Sequence, residues 1–480
     1  MRPTILSLAT LSVLGTLFAD PVVDWNNAAL KCIRTDRTNP PRASRALAIA
    51  HLSIFDTVNG VDREFHPYYV QTLAPTGVNV EAAVASAAQT ALLALFPAQA
   101  TNINPVAERQ LAAIPASAAK DAGMAWGTAV AQAILALRAQ DGSTNVVPFT
   151  PGTQPGDWRP TPPANAPALL PGWGQLTPFT LASGNQFRPQ PPPPITNSAY
   201  SFELNVVKMY GGTTSTLRTE DQAQVARFWA DGPGTVTPPG HWNVIAQQIA
   251  ANRNNTLQQN ARLFALLNLG LADAAITCWD TKYAYPYWRP VTAIREADTD
   301  GNPETAGDPT WTPLIVTPPF PEYTSGHSTF SRTGATILAL FYGTDHLPFS
   351  TSSDHLPGVT RSFSSPSAAA NESGISRIYG GIHFPSGNVQ GQAVGYRLGQ
   401  HVAMNFLTPL TSAVFTAVTR AGETTELQLA VEPGTVYVIR ASSDLKSWVE
   451  LGQVSSPTGM AFFKDSASPG GQRYYEAVAR

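Results

Sequence analysis

At 480 residues and 43% hydrophobic, the chain is long enough for roughly two to four domains or bundles and apolar enough for a large core, which excludes a disordered protein. Its 30 Lys and Arg against 33 Asp and Glu give a net charge of -3, without the basic excess expected of a nucleic-acid binder. Two cysteines cannot build a disulfide scaffold or a Cys-based zinc site, and 13% charged residues with 42 prolines point to long looped or extended stretches.

Residues 2–19, RPTILSLATLSVLGTLFA, set one Arg before an apolar run and a small residue before Asp20. This is the pattern of a secretory signal peptide cut after Ala19, and it implies a secreted or periplasmic protein. A membrane anchor is the alternative reading, but the run is shorter than the ~20 residues a bilayer span needs. No later stretch reads as long and apolar enough, so no stable membrane insertion is expected. In an oxidising compartment Cys32 and Cys278 either pair or remain buried thiols.

From about residue 26 to 140 the pattern is helical. ALAIAHLSIFDTV (46–58) and EAAVASAAQTALLALF (81–96) space apolar residues by three and four, and 118–142 repeats this with Gly142 as a stop. Residues 148–194 then hold 14 prolines, too many for a helix or a central strand. This segment either wraps a core or links two helical halves. Helical periodicity returns at 219–231, 242–274, 325–343 and 388–407. From about 412 apolar and polar residues alternate between Gly and Pro turns, which is strand chemistry. Residues 412–480 therefore read as a small all-β module, similar to the fibronectin-type-III-like sandwiches that end many secreted bacterial enzymes.

Three segments concentrate the groups an oxyanion needs: Lys282 to Arg289-Pro290 with aromatics between, Thr324-Ser325-Gly326-His327, and Ser376-Arg377 to His383. Arginine offers a planar fork of donors to a tetrahedral anion. A helix start at Ser325 and Gly326 adds unpaired N–H groups and a partial positive charge. One neutral imidazole can ligate or attack, and a second can exchange protons near neutral pH. Each piece alone is commonplace: an SGH tripeptide is usually a capped helix start, and a lone cation is usually solvated. The other histidines (His51, His66, His241, His346, His355, His401) have no such company and read as structural.

In order and spacing the three segments resemble the signature KX6RP … PSGH … SRX5HX3D of the type-2 phosphatidic acid phosphatase superfamily, which includes bacterial acid phosphatases and vanadium-dependent haloperoxidases. Here 33 residues separate Pro290 from Thr324, and 48 separate His327 from Ser376. The chain looks like the haloperoxidase branch through its size, Trp279 three residues before Lys282, Phe320 seven before His327, and PGWGQLTPF at 171–179. The resemblance implies a mainly α fold over about 20–410, built as two four-helix bundles, with the β module appended. It implies a vanadate cofactor held by Lys282, Arg289 and Arg377 with Ser325 and Gly326 assisting. His383 would be the ligand to vanadium, His327 the acid–base residue, and Trp279 and Phe320 pocket residues. Hydrogen peroxide and halide would be the substrates, with Lys282 polarising peroxide and a small organic molecule as acceptor, and Asp231 would pair with Arg377.

Two departures stand out: Thr324 replaces the signature's proline, and Gly387 replaces the aspartate four residues after the histidine. In the phosphatases that carboxylate orients the histidine, so its absence disfavours a phosphatase. His383 is then expected to be oriented by a backbone carbonyl, a water or Asn388, and an aspartate introduced at 387 is expected to tighten vanadate binding. The rival enzyme reading is a secreted phosphomonoesterase with a phosphohistidine at His383. A non-enzymatic reading is a phosphate- or carbohydrate-binding surface protein. Halide preference, oligomeric state and the role of the β module are not encoded in these motifs.

Overall fold

A computed structural model describes residues 20–466 and 472–479, so the segment read as a signal peptide lies outside the described residues. The first part of the chain forms α1 (Pro21–Thr35), α2 (Pro40–Asn59), α3 (Val80–Leu95), α4 (Ala100–Ala112) and α5 (Ala118–Leu137). The side chains of Asp20, Asn39, Asn79 and Ser117 accept backbone N–H groups at the starts of α1, α2, α3 and α5, satisfying donors the helix itself leaves free. The α5 helix stops at Leu137, earlier than Gly142 suggests.

After the proline-rich segment come α6 (Ser198–Gly211), α7 (Glu220–Phe228), α8 (Thr237–Asn252), α9 (Leu257–Ala284) and α10 (Pro290–Arg295). The stretch 242–274, one helical run by periodicity, is thus divided between α8 and α9. The division falls at Thr256, whose side chain and Gln259 form a reciprocal cap. The α9 helix corrects one expectation: it is long and apolar enough to cross a membrane by length and composition, yet 94% of its apolar window is buried in the fold. It is the central strut of the core, packed by α2, α11 (Gly326–Tyr342) and α13 (Pro385–Asn405). Between α11 and α13 lie a short antiparallel hairpin, β1 (Phe349–Ser352) with β2 (Thr360–Phe363), and α12 (Pro366–Tyr379).

Helices α11 and α13 approach closely because α13 presents glycine every fourth residue. A Cβ at Gly395 would lie 2.5 Å from the Thr329 carbonyl oxygen, so only glycine permits this spacing. The contact matters for function, since it fixes the start of α13 against the start of α11.

The proline-rich segment wraps the body. Trp158 N–H donates to Pro286 O (2.7 Å), Trp288 N–H to Gly156 O (2.9 Å) and Leu169 N–H to Pro319 O (2.8 Å). Arg188 forms a two-pronged pair with Asp280 (2.7 and 2.8 Å). Beyond α13 follow β3 (Val414–Ala421), β4 (Thr424–Ala430), β5 (Tyr437–Ser442), β6 (Val449–Val454), β7 (Met460–Asp465) and β8 (Tyr474–Ala479). They form two three-stranded antiparallel sheets, β3-β4-β7 and β6-β5-β8, that bury Leu427, Leu429, Tyr437 and Ile439 in one small core. His66 and Glu432 bridge this unit to the helical body at 2.8 Å.

Candidate active site

The motif residues sit at or beside helix ends. Lys282 lies in the last turn of α9, Arg289 caps the start of α10, Ser325 caps α11, and Arg377 lies in the last turn of α12. His327 is in the first turn of α11, and His383 stands in the connection between α12 and α13. The Ser325 Oγ accepts the Ser328 N–H (3.3 Å) and lies within hydrogen-bond distance of the Ser328 Oγ (2.8 Å). Ser325 N–H donates to Gly387 O (2.9 Å), tying the starts of α11 and α13 together.

The structure brings these groups into one buried cluster. Arg289 donates through Nε to Phe320 O (2.8 Å) and through Nη1 to Ile382 O (2.8 Å), and Nη1 also faces His383 Nε2 at 3.1 Å. Its Nη2 is buried without a partner. Arg377 donates through Nη2 to Ala226 O (3.0 Å) and through Nε to Ser376 Oγ (2.9 Å), while Nη1 faces His327 Nε2 at 3.5 Å. The His327 ring is anchored by hydrogen bonds to the backbone of Trp229 and Ala230, and it keeps partial exposure while His383 keeps none. The cluster's contact with solvent is therefore on the His327 side.

Lys282 is placed differently from expectation. Its ammonium donates to the carbonyls of Pro321 (2.8 Å), Glu322 (3.0 Å) and Thr324 (2.6 Å), so all three protons are engaged by the loop that leads into α11. Phe320 lies under both cations, with Lys282 Nζ 4.9 Å and the Arg289 guanidinium carbon 4.8 Å from its ring centroid. Trp279 packs on the same ring at 4.9 Å and donates its indole N–H to Leu169 O (3.0 Å). Trp279 and Phe320 thus form an apolar wall on the cluster, closed by the proline-rich segment. Cys278 lies beneath it, its thiol 3.5 Å from Thr324 O, and both Cys32 and Cys278 are buried free thiols.

Three expectations are corrected. Asp231 bonds to His241 Nδ1 (3.2 and 3.3 Å) and not to Arg377, although its charge offsets part of the burial that depresses that arginine. His241, read as structural, has that role beside the site: it stacks on Trp229 (4.8 Å), which neighbours His327. The orienting partner of His383 is Glu322, whose Oε1 lies 2.8 Å from Nδ1, and Asn388 instead accepts the Ser328 hydroxyl (2.8 Å). Glu322 escaped the motif reading because it precedes His383 by 61 residues; the signal was a carboxylate two residues before Thr324 combined with the missing carboxylate at 387. An aspartate at 387 cannot act as expected either, because a Cβ there would lie 2.2 Å from Glu322 Oε1.

Electrostatically the cluster is short of negative charge. Burial pushes Lys282 down to about 7, Arg377 to about 9 and Arg289 to about 10. His383 and His327 are held well below the ordinary imidazole value, first by burial and then by neighbouring cations, which for His383 include Arg289, Lys282 and Arg377. Burial also raises Glu322 to about 7 against the pull of Lys282 and Arg289. The orphaned Arg289 Nη2, the arginine forks and the helix start at Ser325-Gly326 fit a tetrahedral oxyanion such as vanadate, with the neutral His383 Nε2 as its nitrogen ligand. Such an anion would relieve the mutual repulsion of three enclosed cations.

Comparison with known proteins agrees with this geometry. Residues 262–411 match the family model of the VCPO second helical-bundle domain. The chain is 28% identical over 403 residues to the vanadium chloroperoxidase of Curvularia inaequalis, over 67% of this chain; it spans 65% of the length of that relative. A bacterial vanadium-dependent iodoperoxidase structure superposes with a TM-score of 0.71 at 29% identity, covering 81% of this chain and 97% of the other. A bacterial vanadium-dependent chloroperoxidase shares the fold with a TM-score of 0.64 at 14% identity, covering 82% of this chain and 98% of the other. With this fold, this cluster and these relatives, the chain is similar to the vanadium-dependent haloperoxidases, and its residues 262–411 match the second helical-bundle domain of that family.

Proposed function

We propose that the protein is a secreted haloperoxidase that uses vanadate and hydrogen peroxide to oxidise halide to hypohalous acid. The observation that carries this reading is one buried cluster in which Arg289 faces the neutral His383 imidazole, Arg377 faces His327, and Lys282 holds the loop into α11. Bound vanadate would supply a Lewis-acidic centre that activates peroxide towards halide without changing oxidation state.

The chain's own residues have separable tasks in this reading. Arg289, through its free Nη2, and Arg377 hold the anion's charge, with the Ser325 and Gly326 end of α11 assisting. His383 offers Nε2 as ligand. His327, neutral near pH 7 and nearest to solvent, takes and returns the proton of the incoming peroxide. Lys282 polarises peroxide only by exchanging one of its carbonyl bonds; in the geometry described it sets the 321–325 loop. Trp279 and Phe320 keep bulk water from the cluster.

The phosphomonoesterase reading regains one support, since His383 does have a carboxylate partner. The named relatives, all vanadium haloperoxidases, favour the peroxidase. The test is to assay the vanadate-free protein for peroxide-dependent oxidation of iodide, bromide and chloride before and after adding orthovanadate, alongside hydrolysis of p-nitrophenyl phosphate. Halide oxidation that appears only with vanadate is expected. Phosphate-ester turnover without halide oxidation would refute the proposal in favour of the phosphatase.

A further inference from the structure

We infer that Glu322 is a positioning residue that fixes His383 for oxyanion ligation, and that its carboxylate occupies the space a side chain at position 387 would need. The inference rests on the reading that His383 holds the oxyanion.

The geometry is specific. Glu322 Oε1 lies 2.8 Å from His383 Nδ1 and accepts the Phe384 N–H at 3.0 Å. Arg289 Nη1 can only donate, so the facing Nε2 accepts with its lone pair, and the ring proton therefore sits on Nδ1 and is donated to Glu322. That lone pair points to Arg289 Nη1, into the cationic cluster, at 3.1 Å. Two donors on one carboxylate oxygen, from the ring and from the next residue's backbone, define both the tautomer and the orientation of the ring.

The backbone that carries the carboxylate is itself held, while the second carboxylate oxygen, Oε2, is buried without a partner. Glu322 N–H donates to Tyr287 O (2.9 Å), its own carbonyl accepts Lys282 (3.0 Å), and the side chain is fully buried. The signature lysine therefore clamps the loop that delivers the carboxylate to the histidine. A Cβ built at Gly387 would meet Glu322 Oε1 at 2.2 Å, Cδ at 3.0 Å and Oε2 at 3.1 Å. The chain has room for one carboxylate beside His383 and supplies it from residue 322, so glycine at 387 is the steric counterpart of glutamate at 322.

The test measures orthovanadate and inorganic phosphate dissociation constants by calorimetry on the full chain freed of vanadate, with a urea midpoint for each variant. Wild type should bind orthovanadate. Glu322→Ala should lose about 10- to 100-fold in affinity, the usual effect of deleting a ligand's outer partner. Glu322→Gln keeps an acceptor for Nδ1–H but not the charge and should lose less, about fivefold. Gly387→Asp alone should also weaken binding, through collision with Glu322. Glu322→Ala combined with Gly387→Asp should bind about tenfold or more tighter than Glu322→Ala, the carboxylate now coming from 387. A purely structural Glu322 would lower the urea midpoint and leave the dissociation constants of the folded variants unchanged, which overturns the inference. If Glu322→Ala does not fold, Glu322→Gln decides, and wild-type affinity in that variant overturns it. A double variant no tighter than Glu322→Ala overturns the shared-space claim. A wild type that fails to bind orthovanadate overturns the haloperoxidase reading itself, so the two failures are distinguishable.

Discussion

Replacing Arg377 by methionine should stabilise the protein when it is free of oxyanions and abolish its response to phosphate. Burial holds the guanidinium at about 9, against an ordinary 12.5. At about 1.4 kcal/mol for each tenfold change in protonation equilibrium, keeping it charged in the fold costs about 5 kcal/mol. Against this stand two hydrogen bonds, to Ala226 O (3.0 Å) and Ser376 Oγ (2.9 Å), worth about 1 kcal/mol each. Methionine is flexible enough to fill the space, and these opposing contributions leave a net gain of about 3 kcal/mol. Urea unfolding in buffer without phosphate, sulfate or vanadate should show a higher midpoint for Arg377→Met than for wild type. Adding phosphate at about 100 times its dissociation constant should then stabilise wild type by about 3 kcal/mol and leave the variant unmoved. A variant less stable than wild type without anion, or one stabilised equally by phosphate, would show that the cluster is not a cationic site waiting for an anion.

Acid sensitivity should be traceable in part to His51. Burial lowers His51 to about 3 from 6.5, so the unfolded chain binds its proton between those values while the folded chain does not. Stability is thus fully present above pH 6.5 and falls as pH drops towards 3, by about 3 kcal/mol at pH 4.5 from this residue alone; His51→Phe should remove that part of the slope in urea titrations at the two pH values. We also propose that residues 412–480 are a separable module: a chain ending at Leu410 should fold and bind orthovanadate with wild-type affinity, since all cluster residues precede it. Calorimetry that shows a loss of affinity in a folded truncation would make the β sheets part of the site's support.

The legible part of the site was what residue type and spacing declare: cations, imidazoles and a helix start at fixed separations along the chain. Glu322 was hidden because its partner is set by tertiary approach, not by sequence distance. Helices α6 and α12 were missed for a related reason. The α12 sequence, PSAAANESGISRIY, is rich in Ser, Asn and Gly, poor helix formers, and owes its helix to packing against α11 and to the Ser365 cap. The division between α8 and α9 was invisible to periodicity because both helices are buried on most sides and lack a clear polar stripe. Strand alternation after 412 was plain in β4, where Thr425, Leu427 and Leu429 are buried between more open neighbours.

The proline-rich wall is fastened in an unusual way. Trp279 and Tyr283 both donate to Leu169 O, Tyr323 to Gln190 O and Tyr287 to Pro193 O. At these points the body reaches out with its side chains and the wall answers with main-chain carbonyls, while Arg188 adds a side-chain pair to Asp280. A carbonyl is the same whatever residue bears it, so substitutions at 169, 190 and 193 leave these bonds intact. Attachment and surface chemistry are thereby inherited separately. The lining beside Trp279 and Phe320 can change in sequence while the cationic cluster behind it is left undisturbed.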